Sequence, residues 1–177
     1  MEGKLVRLRA LELDDARFIY TWENQPDLWR VSQVPGPYSL SAIQEYVKNA
    51  MTHDILAMKQ ARFMIERLED NQRIGMIDLF DIDMINSRAG IGIMIDPRAR
   101  KQGYASDALR LIVRYGFEHL KLHQLYAEVD LLNEVSLKLF KSAGFEITGC
   151  KKDWVKVGQG WEDVMVFQII NLGQVED

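Results

Sequence analysis

The sequence has one cysteine, Cys150, in 177 residues, so no internal disulfide can form and a reducing compartment fits best. Histidine is scarce as well: three at unhelpful spacing, with no cysteine partners, do not make a metal-ligand set, and no metal is expected. Positive charge is in deficit, with 22 Lys and Arg against 26 Asp and Glu, a net charge of −4. No surplus remains to neutralise nucleic-acid phosphates or an anionic membrane, so neither is an expected partner. No apolar run approaches the roughly 18 residues needed to cross a bilayer. Met1 to Ala10 alternates charged and apolar positions where a secretory signal would be continuously apolar. These absences together predict a cytoplasmic protein.

What is present suits a folded domain: 47% hydrophobic and 27% charged residues are ordinary for a globular chain, and the length fits a single domain over residues 1–177. Leu5 to Leu8 reads as a first strand. A helix is predicted from Asp14, as its cap, to Glu23, with Phe18, Ile19 and Trp22 on one face. Beyond a loop containing Pro26, Pro35, Gly36 and Pro37, Ser41-Ala-Ile-Gln44 fits a capping box opening a second helix, with Ile43, Tyr46 and Val47 inward. Ala61 to Leu68, Arg73 to Phe80 and Gly90 to Ile95 read as three sequential antiparallel strands, separated by the polar turns Glu69-Asp-Asn-Gln72 and Asn86-Ser87.

Apolar residues recur at Ala105, Ala108, Leu109, Ile112, Gly116 and Leu120, the spacing of one helical face. Leu125 to Val129 follows as a strand, and Glu134 to Ala143 as a helix stopped by Gly144. Cys150 to Val157 and Trp161 to Ile170 then form a hairpin around Gly158-Gln-Gly160. The strands before and after the Ala105 helix can lie parallel, because a helix crosses over between them, whereas the flanking hairpins are antiparallel. A mixed α+β sheet results.

Between the strand ending at Ile95 and the helix opening at Ala105 stands Arg100-Lys-Gln-Gly-Tyr-Ala105. Backbone N–H groups and the positive end of the helix converge there, a setting suited to phosphate, and Gly103 lets the chain approach a ligand closely. A glycine between strand and helix is by itself only a tight turn. The order of Asp96-Pro97, basic Arg98, Arg100 and Lys101, then Gly103 and small Ala105 combines close approach with positive charge.

This stretch, Asp96-Pro-Arg-Ala-Arg-Lys-Gln-Gly-Tyr-Ala105, resembles the Arg/Gln-x-x-Gly-x-Gly/Ala signature of the GNAT acetyltransferase superfamily. The resemblance extends to the opening strand and helix, to Asn133, Ser136, Phe140 and Gly144-Phe145, and to the closing hairpin. The pattern is similar to the ribosomal-protein N-terminal and spermidine acetyltransferases. It implies a mostly antiparallel sheet with a parallel strand pair splayed at an acetyl-CoA site and helices on both faces. It also implies that the backbone of Ile93, Met94 and Ile95 pairs with the pantetheine arm and polarises the acetyl carbonyl. Lys101, Gln102, Gly103, Tyr104, Ala105 and Ser106 match the pyrophosphate turn, Arg100 occupies its first position, and Asn133 matches a further coenzyme contact.

The implied activity moves acetyl from acetyl-CoA to a primary amine, of a protein N-terminus or a small metabolite, by direct attack on the thioester. Such a reaction needs a neutral amine, an oxyanion donor and a proton for the departing thiolate. Ser136 falls in the first turn of a helix capped by Asn133 and matches the proton-donating serine of the ribosomal-protein type; a local cap is the plainer alternative. Phe140 departs from the family, since many members, spermidine acetyltransferases among them, have an acid tyrosine there, and this turns the expectation toward peptide-like acceptors. Gly90 likewise stands where relatives often place a glutamate, leaving the base unassigned. Asp78 and Asp81, with Asp83, are candidates to bind a cationic amine, although an aspartate-rich surface turn explains them equally well. Trp29 and Tyr38 are candidates to wall the acceptor groove or to anchor their loop. The departures at Phe140 and Gly90 keep a second class open: a coenzyme A-binding regulatory or interaction domain with little catalysis. Homo-oligomerisation is compatible with the sequence.

Overall fold

The computed structural model describes residues 1–26, 29 and 37–173. Seven strands among them form one sheet: β1 (Val6–Ala10), β2 (Ala61–Arg67), β3 (Arg73–Asp83), β4 (Arg88–Ile95), β5 (Gln124–Asp130), β6 (Glu146–Val157) and β7 (Gly160–Ile170). Their order is β1-β2-β3-β4-β5-β7-β6, antiparallel throughout except for the parallel pair β4 and β5. The helices are α1 (Ala16–Glu23), α2 (Leu40–Thr52), the single turn α3 (Ile55–Met58), α4 (Tyr104–Arg114) and α5 (Glu134–Ser142). Pro35 and Gly36 of the proline-containing loop lie outside the described residues.

Strand alternation sends side chains to two faces, and each face has its own core. On one, Ile77, Leu79, Ile91, Leu125, Ala127 and Phe167 pack with Ala108, Leu109, Leu111 and Ile112 of α4 and with Phe140 of α5. On the other, Met64 and Met76 pack with Ile19 and Trp22 of α1 and with Ile43 and Val47 of α2. Each fully buried Leu or Ile contributes about 1.5–3 kcal/mol, so the two clusters fix α1 and α2 against one face and α4 and α5 against the other. The α+β arrangement with helices on both faces is the one the sequence pattern implies.

Local details differ from the sequence reading where geometry outranks residue type. Ser39, not Ser41, caps α2: Ser39 is extended (φ −73°, ψ 153°) and its Oγ accepts from Ala42 N at 3.1 Å, whereas Ser41 already lies within the helix. Asp14 caps nothing; it is largely exposed and pairs with Arg73. Its neighbour Asp15 is fully buried, taking Arg9 Nη1 at 2.7 Å, Arg9 Nη2 at 2.8 Å, Arg73 Nε at 2.6 Å and the Glu12 amide at 2.7 Å. Phe18 keeps its ring against Trp22, with centroids 6.0 Å apart, but is exposed where Ile19 and Trp22 are buried, and it lies under the Arg73 guanidinium, 4.7 Å from the ring centre. α4 ends at Arg114 and runs on as a π turn over Tyr115–His119. β6 begins at Glu146, four residues before the expected start.

Burial pushes the Asp15 carboxyl up, but its hydrogen bonds with Arg9, the Glu12 amide and Arg73 outweigh this and leave it below the ordinary value of 3.8. A carboxyl lowered in the folded state adds stability that is present above the unfolded value and is lost as pH falls through the native one. Asp15→Asn should therefore cost about 3 kcal/mol at neutral pH, the low end for a broken buried pair because both arginines keep some contact with water. The variant should also lose less stability than the parent on acidification below about pH 4. Urea titrations at neutral and acid pH check both outcomes.

Candidate active site

β4 and β5 pair in parallel over only three positions, Arg88 with Gln124, Ala89 with Leu125 and Gly90 with Tyr126. Beyond Gly90 the strands part. β4 stays paired with β3 through Ile95, and β5 stays paired with β7 through Asp130, so the opening is held from both sides. A cavity of about 110 Å³ lies in the opening, between Ile91, Gly92 and Ile93 of β4, Glu128, Val129 and Asp130 of β5, and Asn133, Ser136 and Phe140 of α5. A larger open depression, lined by Arg110, Arg114, Phe117 and Lys121 among others, has no lining residue from either strand of the opening.

Gly90 is covered by Phe80: a Cβ at residue 90 would stand 2.4 Å from Phe80 Cζ. The Phe80 ring meets Tyr126 edge-on, with centroids 5.9 Å apart and planes at 81°. The last paired rung before the opening is therefore packed with two aromatic rings.

The turn between β4 and α4 is built from positive-φ backbone. Lys101 has φ 63° and Gly103 φ 83°, the latter a conformation in which glycine has no steric cost. The N–H groups of Tyr104, Ala105 and Ser106, in the first turn of α4, have no acceptor within the helix and point out of its positive end. Arg100 Nε donates to Ile95 O at 3.1 Å and folds the turn back on the strand. Below, buried Asp107 accepts the amides of Leu5 at 2.7 Å and Val6 at 3.1 Å and ties the helix start to β1. Of the three basic side chains expected to face phosphate, Arg98 is engaged elsewhere, by Asp96 through Nε at 3.0 Å and Nη2 at 2.8 Å. That pairing, opposed by burial and aided by Trp22 Nε1, holds the Asp96 carboxyl far below the usual range.

Asp78 is not part of a surface turn. It lies buried within β3, opposite Gly92, and its Oδ2 accepts Gln60 Nε2 at 2.7 Å and Arg62 Nη2 at 3.5 Å. Arg62 also reaches Glu23 Oε1 at 3.2 Å and lies over the Tyr46 ring at 5.3 Å, and Tyr46 donates its hydroxyl to Gln60 Oε1 at 3.0 Å. Trp29 joins this side of the molecule by donating Nε1 to Glu23 O at 2.9 Å. Tyr38 is clasped through its backbone, its N donating to Asn24 Oδ1 at 2.8 Å and its carbonyl accepting Asn24 Nδ2 at 3.0 Å. Asp81 is exposed at φ 49° and, after burial, is the main influence raising the Tyr126 hydroxyl pKa.

The chain matches the Acetyltransferase (GNAT) domain over residues 6–146. It belongs to the GNAT acetyltransferase family. Spermidine N(1)-acetyltransferase of Escherichia coli is 30% identical over 144 residues, 81% of this chain and 74% of the relative. The probable N-acetyltransferase YjcK of Bacillus subtilis is 29% identical, covering 97% of each chain. Among solved structures, spermidine N-acetyltransferase from Vibrio cholerae in complex with CoA and spermine superposes with a TM-score of 0.85 at 25% identity, over 93% of this chain and 95% of that one. A dodecameric structure of spermidine N-acetyltransferase from Vibrio cholerae gives a TM-score of 0.77 at 27% identity, over 93% of each. The chain is thus an N-acetyltransferase with acetyl-CoA as its acetyl donor.

Within this GNAT fold, the expected site residues divide. Ile93, Asn133 and Ser136 line the cavity; Met94 and Ile95 do not, Met94 packing against the α1 and α2 core and Ile95 lying in the α4 core. Asn133 Oδ1 accepts Ser136 N at 3.2 Å, capping α5. Phe140 is buried edge-on against Phe145 at 5.1 Å. Glu128, Asp130 and Gly92 were not singled out by sequence; the two carboxylates alternate with apolar Val129 along β5, a pattern that reads equally as a half-exposed strand.

The Phe80 and Gly90 contact is testable by stability. Gly90→Ala should cost about 1–3 kcal/mol by overpacking. Most of that cost should disappear in a Phe80→Leu background, giving a coupling energy in a double-mutant cycle of denaturant titrations.

Proposed function

We propose that this GNAT enzyme acetylates a primary amine of a small polycationic acceptor, of the polyamine type, by direct attack of the amine on the acetyl-CoA thioester. The observation that carries this reading is the buried Asp78 network, with Arg62 between two carboxylates, set on β3 directly across from Gly92 at the cavity. One guanidinium against Asp78 and Glu23 leaves a negative balance there, which favours a cationic acceptor. The names of the relatives, spermidine acetyltransferases among them, support the same choice over a peptide N-terminus. Trp29 and Tyr38, linked to the end of α1, wall the acceptor side, and Asp81 contributes further negative charge at its rim.

On the donor side, the first-turn amides of α4 together with Lys101, Gln102, Gly103 and Arg100 hold the pyrophosphate, and Asn133 adds a contact where β5 gives way to α5. The backbone of Ile93 to Ile95, unpaired on the β5 side, receives the pantetheine amides much as a sheet edge receives a strand. Acetyl-CoA supplies the thioester. The neutral amine nitrogen forms the N–C bond and gives its surplus proton to solvent, the C–S bond breaks, and the electron pair leaves on sulfur; a donor that protonates the sulfur is itself reprotonated from water. Phe140 has no proton to give, so the thiolate takes its proton from Ser136, one helical turn earlier on the cavity wall. A cytosolic homo-oligomer completes the reading, with the dodecameric relative as its support.

Thiol release from acetyl-CoA, measured with spermidine, spermine, a short diamine and a peptide with a free N-terminus, tests the acceptor class. Turnover with the polyamines above the peptide is expected. Tight coenzyme A binding with no turnover of any amine would instead support a regulatory coenzyme A-binding domain. Gly103→Glu, which puts a strained, negatively charged side chain in the phosphate turn, should abolish most calorimetric coenzyme A binding. Ser136→Ala should lower kcat by roughly 10²–10⁴-fold while coenzyme A affinity barely moves, since proton transfer to sulfur matters only as the thioester breaks. A variant with full kcat, where chemistry limits the rate, would reduce Ser136 to part of a cap.

A further inference from the structure

Asp130 ends β5 where the two parallel strands stand apart, and its side chain lines the cavity. Its Oδ1 is buried and accepts no hydrogen bond among the described residues. Buried carboxylate oxygens without donors are rare because the lost hydration is not replaced, so an oxygen left this way inside a ligand cavity marks a place where the ligand brings the donor. The neighbouring acids differ from it. Glu128, two residues earlier, is paired with Lys151 Nζ at 2.5 Å, and Asp78 is held by Gln60 and Arg62.

Alternation fixes the side on which this oxygen lies. Leu125, Ala127 and Val129 turn into the core shared with α4 and α5, so Tyr126, Glu128 and Asp130 take the opposite face. By the same rule, Gly92 and Asp78, paired across β4 and β3, lie on the face that holds Met76 and the α1 and α2 core. Asp130 therefore shares the face of the sheet that carries Asp78, the acceptor side, away from the α4 face.

We infer that Asp130 Oδ1 receives an N–H of the acceptor's reacting primary amine, which binds as the ammonium and attacks after giving one proton to solvent, and so positions that nitrogen at the acetyl group. This rests on the amine-acetyltransferase reading above and adds a residue that reading leaves without a role. Asp130→Asn keeps the shape and removes the charge. Its kcat/KM for spermidine should fall by about tenfold or more, the scale of one hydrogen bond to a charged group, mostly through KM. Coenzyme A affinity by calorimetry should stay within about twofold, and the ligand-free Tm should not drop, since no native donor is lost.

Calorimetric titration of spermidine into the coenzyme A-loaded protein gives a readout independent of turnover, strong in the parent and weak in Asp130→Asn and Asp130→Ala. Equal spermidine binding by parent and variants, or none by the parent, overturns the assignment. So does an equal loss of coenzyme A affinity, which would give the oxygen to a pantetheine amide, or a lowered Tm, which would make it structural. A parent that turns over spermidine beside a variant that does so equally well sinks this inference and leaves the proposed function standing. A parent that binds spermidine through Asp130 without acetylating it has the reverse meaning.

Discussion

Where two strands of a sheet separate, each leaves behind N–H and C=O groups that the ladder would have satisfied, and something else must satisfy them. In this chain the separation occurs at one place, past Gly90 and Tyr126, and the surrounding fold holds it open. β3 grips β4 from one side, β7 grips β5 from the other, and the two aromatic rings of Phe80 and Tyr126 fill the last closed rung. The core beneath α4 prevents collapse, because closing the gap would mean repacking Ile91 and Val129 out of a close-packed cluster. On the proposed reading the ligand's amides complete what the sheet leaves undone, and donor binding and sheet architecture become one arrangement.

On the proposed function the two substrates make opposite electrical demands, which fall at separate places in a chain of net charge −4. On the proposed reading the anionic end of coenzyme A is answered mainly by backbone, because the start of α4, backed by the exposed Lys101, costs the acidic protein few cations. Arg98, which stands in the same loop, is committed to Asp96 and so to the loop's own shape. Acidic side chains gather on the other face, where Arg62 pairs with Asp78 and Glu23 and Lys151 pairs with Glu128, which keeps the local charge small. Arg62 thus acts as a ballast for Asp78 and Glu23, limiting their mutual repulsion in the absence of an acceptor.

Periodicity and turn chemistry made most of the elements legible, including all seven strands and the glycine turn between β4 and α4, because those signals are local. What escaped them depends on partners distant in the chain or on backbone angles. Asp78 reads as a turn residue until Gln60 and Arg62, from the preceding strand region, are seen to enclose it. Asp14 and Asp15 are indistinguishable as letters, yet Arg73, far along the chain, buries the second and leaves the first in water. Ser39 and Ser41 differ only in that the chain is still extended at Ser39. The carboxylate at Asp130 carries no motif at all; its significance comes from the hydrogen bond it does not make.

The sheet's last strand has a bearing on how copies of this chain can meet. β6 is twelve residues long and outermost, so one row of its backbone groups faces outward. Such a rim ordinarily invites another strand to add on and continue without end. Two register shifts, at Ile147/Gly149 and Lys151/Val155, break the row into short pieces. Trp154 and Trp161, 52% and 58% exposed, stand out from the same hairpin. A second copy arriving at this rim would therefore meet indole side chains before it met a continuous backbone ladder.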